Sequence, residues 1–171
     1  NGKTVDEVEL SLTRNYISRF DKKIDKIIIG ISDSKTFPEM ADEFMKEGSQ
    51  SSAHYLVGQI EGDPEIASES KTGLLNNSGF LQFVQLDQDA YYASGVEYND
   101  EAANKNAVSI VLVASENPLS TIGSYSAYQK SMVKKLIAHI RAEAKDDTIP
   151  VINASDLDGR PSLPKMTVTF E

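Results

Sequence analysis

Two apolar runs rich in β-branched residues dominate the hydrophobic pattern of the chain. Ile27, Ile28 and Ile29 in "IDKIIIGIS" form one, and "AVSIVLVAS" at 107–115 forms the other. Continuous runs of this kind mark strands covered on both faces. Shorter apolar stretches, "SSAHYLVGQ" at 51–59 and "FLQFVQL" at 80–86, read as two further strands. "MTVTFE" at 166–171 alternates as a terminal strand would.

Helical spacing occurs in two places. In "TFPEMADEFMKEGS", Phe37, Met40, Phe44 and Met45 share a face. Thr36 and Glu39 form a capping box there, and Gly48 supplies a stop. The longer helix is expected over 124–145, where Tyr125, Tyr128, Met132, Leu136 and Ile140 make a stripe that Val133 and Ile137 widen. Ser126 and Gln129 cap its start. Lys134, Lys135, Arg141 and Lys145 load its later turns, where cations suit the helix dipole. A weaker helical pattern runs through residues 1–20, with Val5, Val8, Leu10, Leu12, Tyr16, Ile17 and Phe20. Residues 61–79 and 87–106 are polar and turn-rich, and 146–165 holds a short strand and a long turn-rich tail.

Two helices packed on a central mixed sheet is the expected α/β (α+β) architecture. The domain reading is a lead-in at 1–23 followed by one domain at 24–171. An insertion falls at about 61–77 of that domain.

Composition narrows the chemistry. The chain has 171 residues and no cysteine, which excludes disulfides, thiolate zinc sites and cysteine nucleophiles. Only two histidines, His54 and His139, are present, so histidine-rich metal sites are nearly excluded. A formal net charge of −9 argues against nucleic acid as a partner. No apolar run is long enough to cross a membrane, and no stretch reads as a signal peptide.

Local motifs add little. "DLDG" at 156–159 lacks the further ligands of a calcium loop and reads as a turn. Arg160 in "GRPS" has no glycine-rich cradle before a helix. Tyr91 and Tyr92 offer a stacking surface for a sugar, or two half-buried loop aromatics. His139 is a boundary residue of its helix. Two histidines are too few to anchor a Ser/His/Asp set by spacing. His54, inside an apparently buried strand, is the one residue that looks chemical.

Read in order, the strands resemble one family, the zinc-dependent N-acetylmuramoyl-L-alanine amidases of the second type. That family includes amidase-type phage lysozymes and peptidoglycan-recognition proteins. "IDKIIIGIS" is similar to the family strand Ile-Val-Ile-His-His-Thr, and "SSAHYLVGQ" to its Ser-Ala-His-Tyr strand. "SGFLQFVQLDQDAYYASG" is similar to the Gln-hydrophobic-Val strand followed by Ala-Trp-His-Ala-Gly. "NAVSIVLV" is similar to Asn-Ser-Ile-Gly-Ile-Glu-Leu-Val, and "IPVINASDLDGRPSLP" to the segment around Gly-His-Ser-Asp. The resemblance spans about 24–163.

It implies an amidase-like fold and a zinc site, yet the matching positions have lost their donors. The family's three zinc ligands fall on Gly30, Ala93 and Leu163. Its strand glutamate falls on Val111, and the catalytic Lys or His on Pro161. The histidine of Gly-His-Ser-Asp falls on Ala154. Gly, Ala and Leu offer no lone pair to a metal. The resemblance therefore implies a catalytically inactive domain with no metal and no cofactor. Its expected role is structural or muropeptide-binding, with protein partners in a larger assembly or peptidoglycan fragments as its contacts. His54, Tyr91, Tyr92 and Arg160 are its groove-lining candidates.

A phage tail, baseplate or other cell-envelope setting is expected from where such domains occur. The competing expectation is an active amidase with a non-standard metal site built from Asp156, Asp158 and His54.

Overall fold

The computed structural model describes residues 13–19, 23–31, 37–59, 80–93, 95–113 and 126–157. The capping box at Thr36, the insertion, the tail positions Asp158, Arg160, Pro161 and Leu163, and the terminal "MTVTFE" lie outside these. Nine strands and two helices occur among the described residues: β1 (Tyr16–Ser18), β2 (Lys26–Ile31), α1 (Phe37–Met45), β3 (Tyr55–Val57), β4 (Phe80–Gln82), β5 (Gln88–Ala90), β6 (Glu97–Tyr98), β7 (Glu101–Ala102), β8 (Ala107–Leu112), α2 (Ala127–Ala144) and β9 (Val151–Asn153). A single 3-10 turn, Ala154–Asp156, follows β9.

Five strands form a mixed sheet in the order β4-β3-β8-β2-β9. β3, β8, β2 and β9 run parallel, and β4 is an antiparallel edge. The apolar runs explain the arrangement. β8 is buried at every position and β2 at all but its last, as expected of parallel strands covered on both sides. Alternation then sorts the side chains. Ile27 and Ile29 of β2, Tyr55 and Val57 of β3, and Val108, Ile110 and Leu112 of β8 face α2, which contributes Met132, Val133, Leu136, Ile137 and Ile140. The opposite face is covered in two parts. α1 brings Phe37, Met40, Ala41 and Phe44 against Leu56, Leu81 and Val111. The segment from Ala93 to Ala103 packs with Ile28, Ile152 and Ala154.

α2 begins as its sequence predicts. The Ser126 side chain accepts from Gln129 N–H, and the Gln129 side chain accepts from Ser126 N–H, completing the capping box. Gln129 is also fully buried, and its amide donates to the carbonyls of Val113 (2.8 Å) and Val57 (3.4 Å). One residue thus caps the helix and ties it to the ends of β8 and β3. α1 is followed by Gly48 in the left-handed region (φ 76°), the stop expected there.

Three local expectations change. Residues 16–18 form a strand paired with β5, not part of a helix. "FLQFVQL" is strand only at its first three residues. The segment 87–106 contains β5 and a small hairpin, β6 and β7. These strands are two or three residues long, too short for periodicity to reveal.

Candidate functional site

The face of the sheet away from α2 carries the positions that the family resemblance marks. Gly30 and Val111 are directly opposed in the β2–β8 register. Their side-chain directions therefore share that face. Above Gly30 lies Tyr92. A Cβ placed on Gly30 would stand 2.5 Å from Tyr92 Cζ and closer still to its hydroxyl oxygen. Glycine is the residue that lets the ring approach the strand this closely. Tyr92 also packs against both clusters on this face, the one holding Val111 and the one holding Ala93 and Ala154. Its backbone N–H donates to Ser52 C=O at 2.7 Å.

Ala93 is fully buried and sits in the left-handed region (φ 67°), an uncommon state for a residue with a Cβ. Ala154, in the 3-10 turn, is buried in the same cluster. Tyr92 thus lies over Gly30 and packs against the two clusters that hold Val111, Ala93 and Ala154.

These residues do not fit a zinc ion. Gly30 and Ala93 have no donor atom, and the Tyr92 ring fills the space above Gly30. No group of three His, Asp or Glu side chains able to hold a metal occurs among the described residues.

His54 precedes β3 on the same face and is completely buried. Its Nδ1 accepts from Ser109 N–H (3.1 Å), so that nitrogen carries no proton. Its Nε2–H donates to Gln88 C=O at 2.7 Å. Ser109 Oγ in turn accepts from His54 N–H at 3.2 Å. Burial holds the imidazole neutral and lowers its pKa to about 3. The Gln88 carbonyl opposes that shift, and the Arg19 charge adds to it. Both ring nitrogens of His54 are engaged inside the protein, and the side chain is not exposed in a groove. The alternative metal site loses its histidine for this reason. Ser109, though beside an imidazole, is itself buried and is no nucleophile.

Tyr91 is half-buried, and its N–H donates to Ser52 Oγ. His139 is half-buried on α2, the boundary position expected. Asp156 is exposed in the 3-10 turn.

Sequence reasoning missed a buried ion pair. Arg19 Nε donates to Asp89 Oδ1 at 2.8 Å, and both side chains are almost fully covered. The other guanidinium nitrogens donate to the carbonyls of Leu86, Gln88 and Ala107. Asp89 Oδ1 also accepts from Asn106 N–H. Asn15 makes a second anchor, donating to Phe44 C=O (3.0 Å) and Lys46 C=O (2.8 Å). Residues 13–19 are thereby tied across the base of this face. No local pattern marks Arg19, because its partner lies seventy residues away.

No family model matches the sequence, and no curated protein does. Solved structures do match. AmpD, as a selenomethionine derivative, superposes with a TM-score of 0.65 at 11% identity, over 92% of this chain and 86% of AmpD. This chain has the AmpD-like amidase fold. AmpDh3 from Pseudomonas aeruginosa, in complex with anhydromuramic pentapeptide, gives 0.58 at 20% identity, over 92% of this chain and 59% of AmpDh3. A second AmpDh3 structure gives 0.58 at 19%. The AmpD-like fold accounts for the collinear strands, and the tyrosine over Gly30 sits within that framework.

Proposed function

We propose that this chain is a non-catalytic amidase-like domain, a peptidoglycan-related module in which packing replaces the metal centre. The observation that carries the reading is Tyr92 over Gly30. The position matching the first zinc ligand has no side chain, and the space above it holds a ring. Val111 beside it and the buried Ala93 extend the apolar character. A hydrolytic zinc needs three protein ligands and a water. Gly30, Ala93 and Leu163 supply none.

The role that fits is structural, within a cell-wall-facing assembly such as a phage tail or baseplate protein. The filled floor and the −9 charge favour protein contacts over an anionic wall polymer. One observation favours a second reading. A neighbour of the same fold is in complex with anhydromuramic pentapeptide. In that reading Tyr91 lines what remains of the groove.

The test is metal content and turnover on purified protein. Absence of stoichiometric zinc, with no release of peptide from muropeptide, is the expected result. Stoichiometric zinc with turnover overturns the proposal. A titration with soluble muropeptide then separates the two roles. The chain has seven tyrosines and no tryptophan, so tyrosine emission is the signal. A flat titration leaves the structural role, and a saturating one assigns muropeptide binding.

A further inference from the structure

Among the described residues, the exposed charges of α2 are mostly basic and those behind the sheet mostly acidic. On α2, Lys130, Lys134 and Arg141 follow one another at spacings of four and seven along one stripe, with Arg141 half-buried and donating to Ile149 C=O, and Lys145 follows as the left-handed C-cap. The three lysines are exposed, and Ala138, also exposed, completes the line. At 1.5 Å per residue the stripe from Lys130 to Arg141 is about 16 Å long. The helix carries one acid, Glu143, which the helical period puts on the opposite flank, and Asp146 and Asp147 follow its C-cap.

The elements behind the sheet are acidic. The β6–β7 hairpin exposes Glu97, Asp100 and Glu101 within five residues, and α1 and its following turn expose Glu39, Asp42 and Glu47. Alternation along β2 sets these groups on opposite sides. α2 packs with Ile27 and Ile29, whereas the residues flanking the hairpin, Val96 and Ala103, pack with Ile28.

We infer that the α2 stripe is a docking surface for a second copy of this chain, received on that copy's acidic hairpin side. The complementary surface is part of the same molecule, and a contact of this head-to-tail kind leaves each end open for another copy. The net charge of −9 opposes approach at long range. Salt screens that repulsion beyond about 8 Å at physiological ionic strength, whereas groups in direct contact are screened less. Charge complementarity sets the register of such contacts and excludes wrong partners.

Sedimentation velocity across a concentration series tests this with the intact chain. The wild type is expected to associate as concentration rises. Lys130→Glu with Lys134→Glu, and separately Glu97→Lys with Glu101→Lys, should each weaken association by roughly tenfold or more. All four positions are exposed, and thermal melts report whether each variant is folded. Mixing the two variants juxtaposes reversed surfaces that are again complementary, and association should return. A wild type that stays monomeric throughout, or variants that associate like the wild type, or a mixture that stays monomeric, overturns the inference.

Discussion

Tyr92 and Gly30 are locked together by the absence of a side chain. The ring occupies space that a Cβ at position 30 would need, within 2.5 Å of Cζ and 2.8 Å of Cε2. Gly30→Ala therefore forces the tyrosine or the strand to move. Overpacking of this kind costs about 1–3 kcal/mol. Replacing Tyr92 by Ala removes the obstacle, so the cost of Gly30→Ala should nearly vanish in the double variant. A double-mutant cycle by urea unfolding measures the coupling. Additive losses would show that the two residues do not meet.

His54 should make the protein acid-sensitive. The folded state keeps the imidazole neutral down to about pH 3, whereas the unfolded chain takes up a proton near 6.5. Between those values the unfolded state binds more protons, so stability is complete above 6.5 and is lost as pH falls. The slope is about 1.4 kcal/mol per pH unit, or about 2 kcal/mol between pH 7.5 and pH 5. His54→Ala should lower stability at pH 7.5 by about 3 kcal/mol, since it opens a cavity and leaves Ser109 N–H and Gln88 C=O without their partner. It should also flatten the decline. Urea midpoints at the two pH values, compared between wild type and variant, decide this.

Asp89→Ala should be among the most damaging single changes. It leaves the Arg19 guanidinium buried without its counter-charge and removes the acceptor for Asn106 N–H. Breaking one half of a buried pair costs about 3–5 kcal/mol. Replacing both partners, as Arg19→Met with Asp89→Leu, should cost less than the sum of the two single changes. Thermal unfolding of the three variants measures this. An Asp89→Ala loss below about 1 kcal/mol would mark the pair as solvated rather than buried.

At the start of α2, Ser126→Ala and Gln129→Ala should differ in size. Ser126→Ala removes one cap, worth about 1 kcal/mol. Gln129→Ala removes the other half of the box and the donor for two buried carbonyls, so about 2–3 kcal/mol is expected. Equal losses in chemical denaturation would show that the tie to β3 and β8 carries no energy.

The main strands and helices were legible because their signals are local. β2 and β8 announce themselves as apolar runs, and α2 by its stripe and its Ser126–Gln129 box. β1, β5 and the β6–β7 hairpin escaped because two or three residues carry no period, and because Tyr16 and Ile17 are exposed rather than facing a core. At the site, only the family resemblance marked Gly30, Ala93 and Val111, each on or beside a recognisable strand. From the sequence Tyr92 reads as a groove-lining candidate or a half-buried loop aromatic, not as a ring packed onto the sheet. Nothing in "AYYA" tells which ring turns inward.

By itself the sequence determined the element types and the buried character of the central strands, both of which follow from residue identity and short-range spacing. Tertiary structure alone decided which distant side chains meet. It folded Tyr92 down onto Gly30, gave both nitrogens of His54 to Ser109 and Gln88, and brought Arg19 to Asp89. Each of these pairs is far apart in sequence. Whether a polar group is buried depends on what the fold lays over it, and that is set by the packing of the whole domain rather than by its neighbours in the chain.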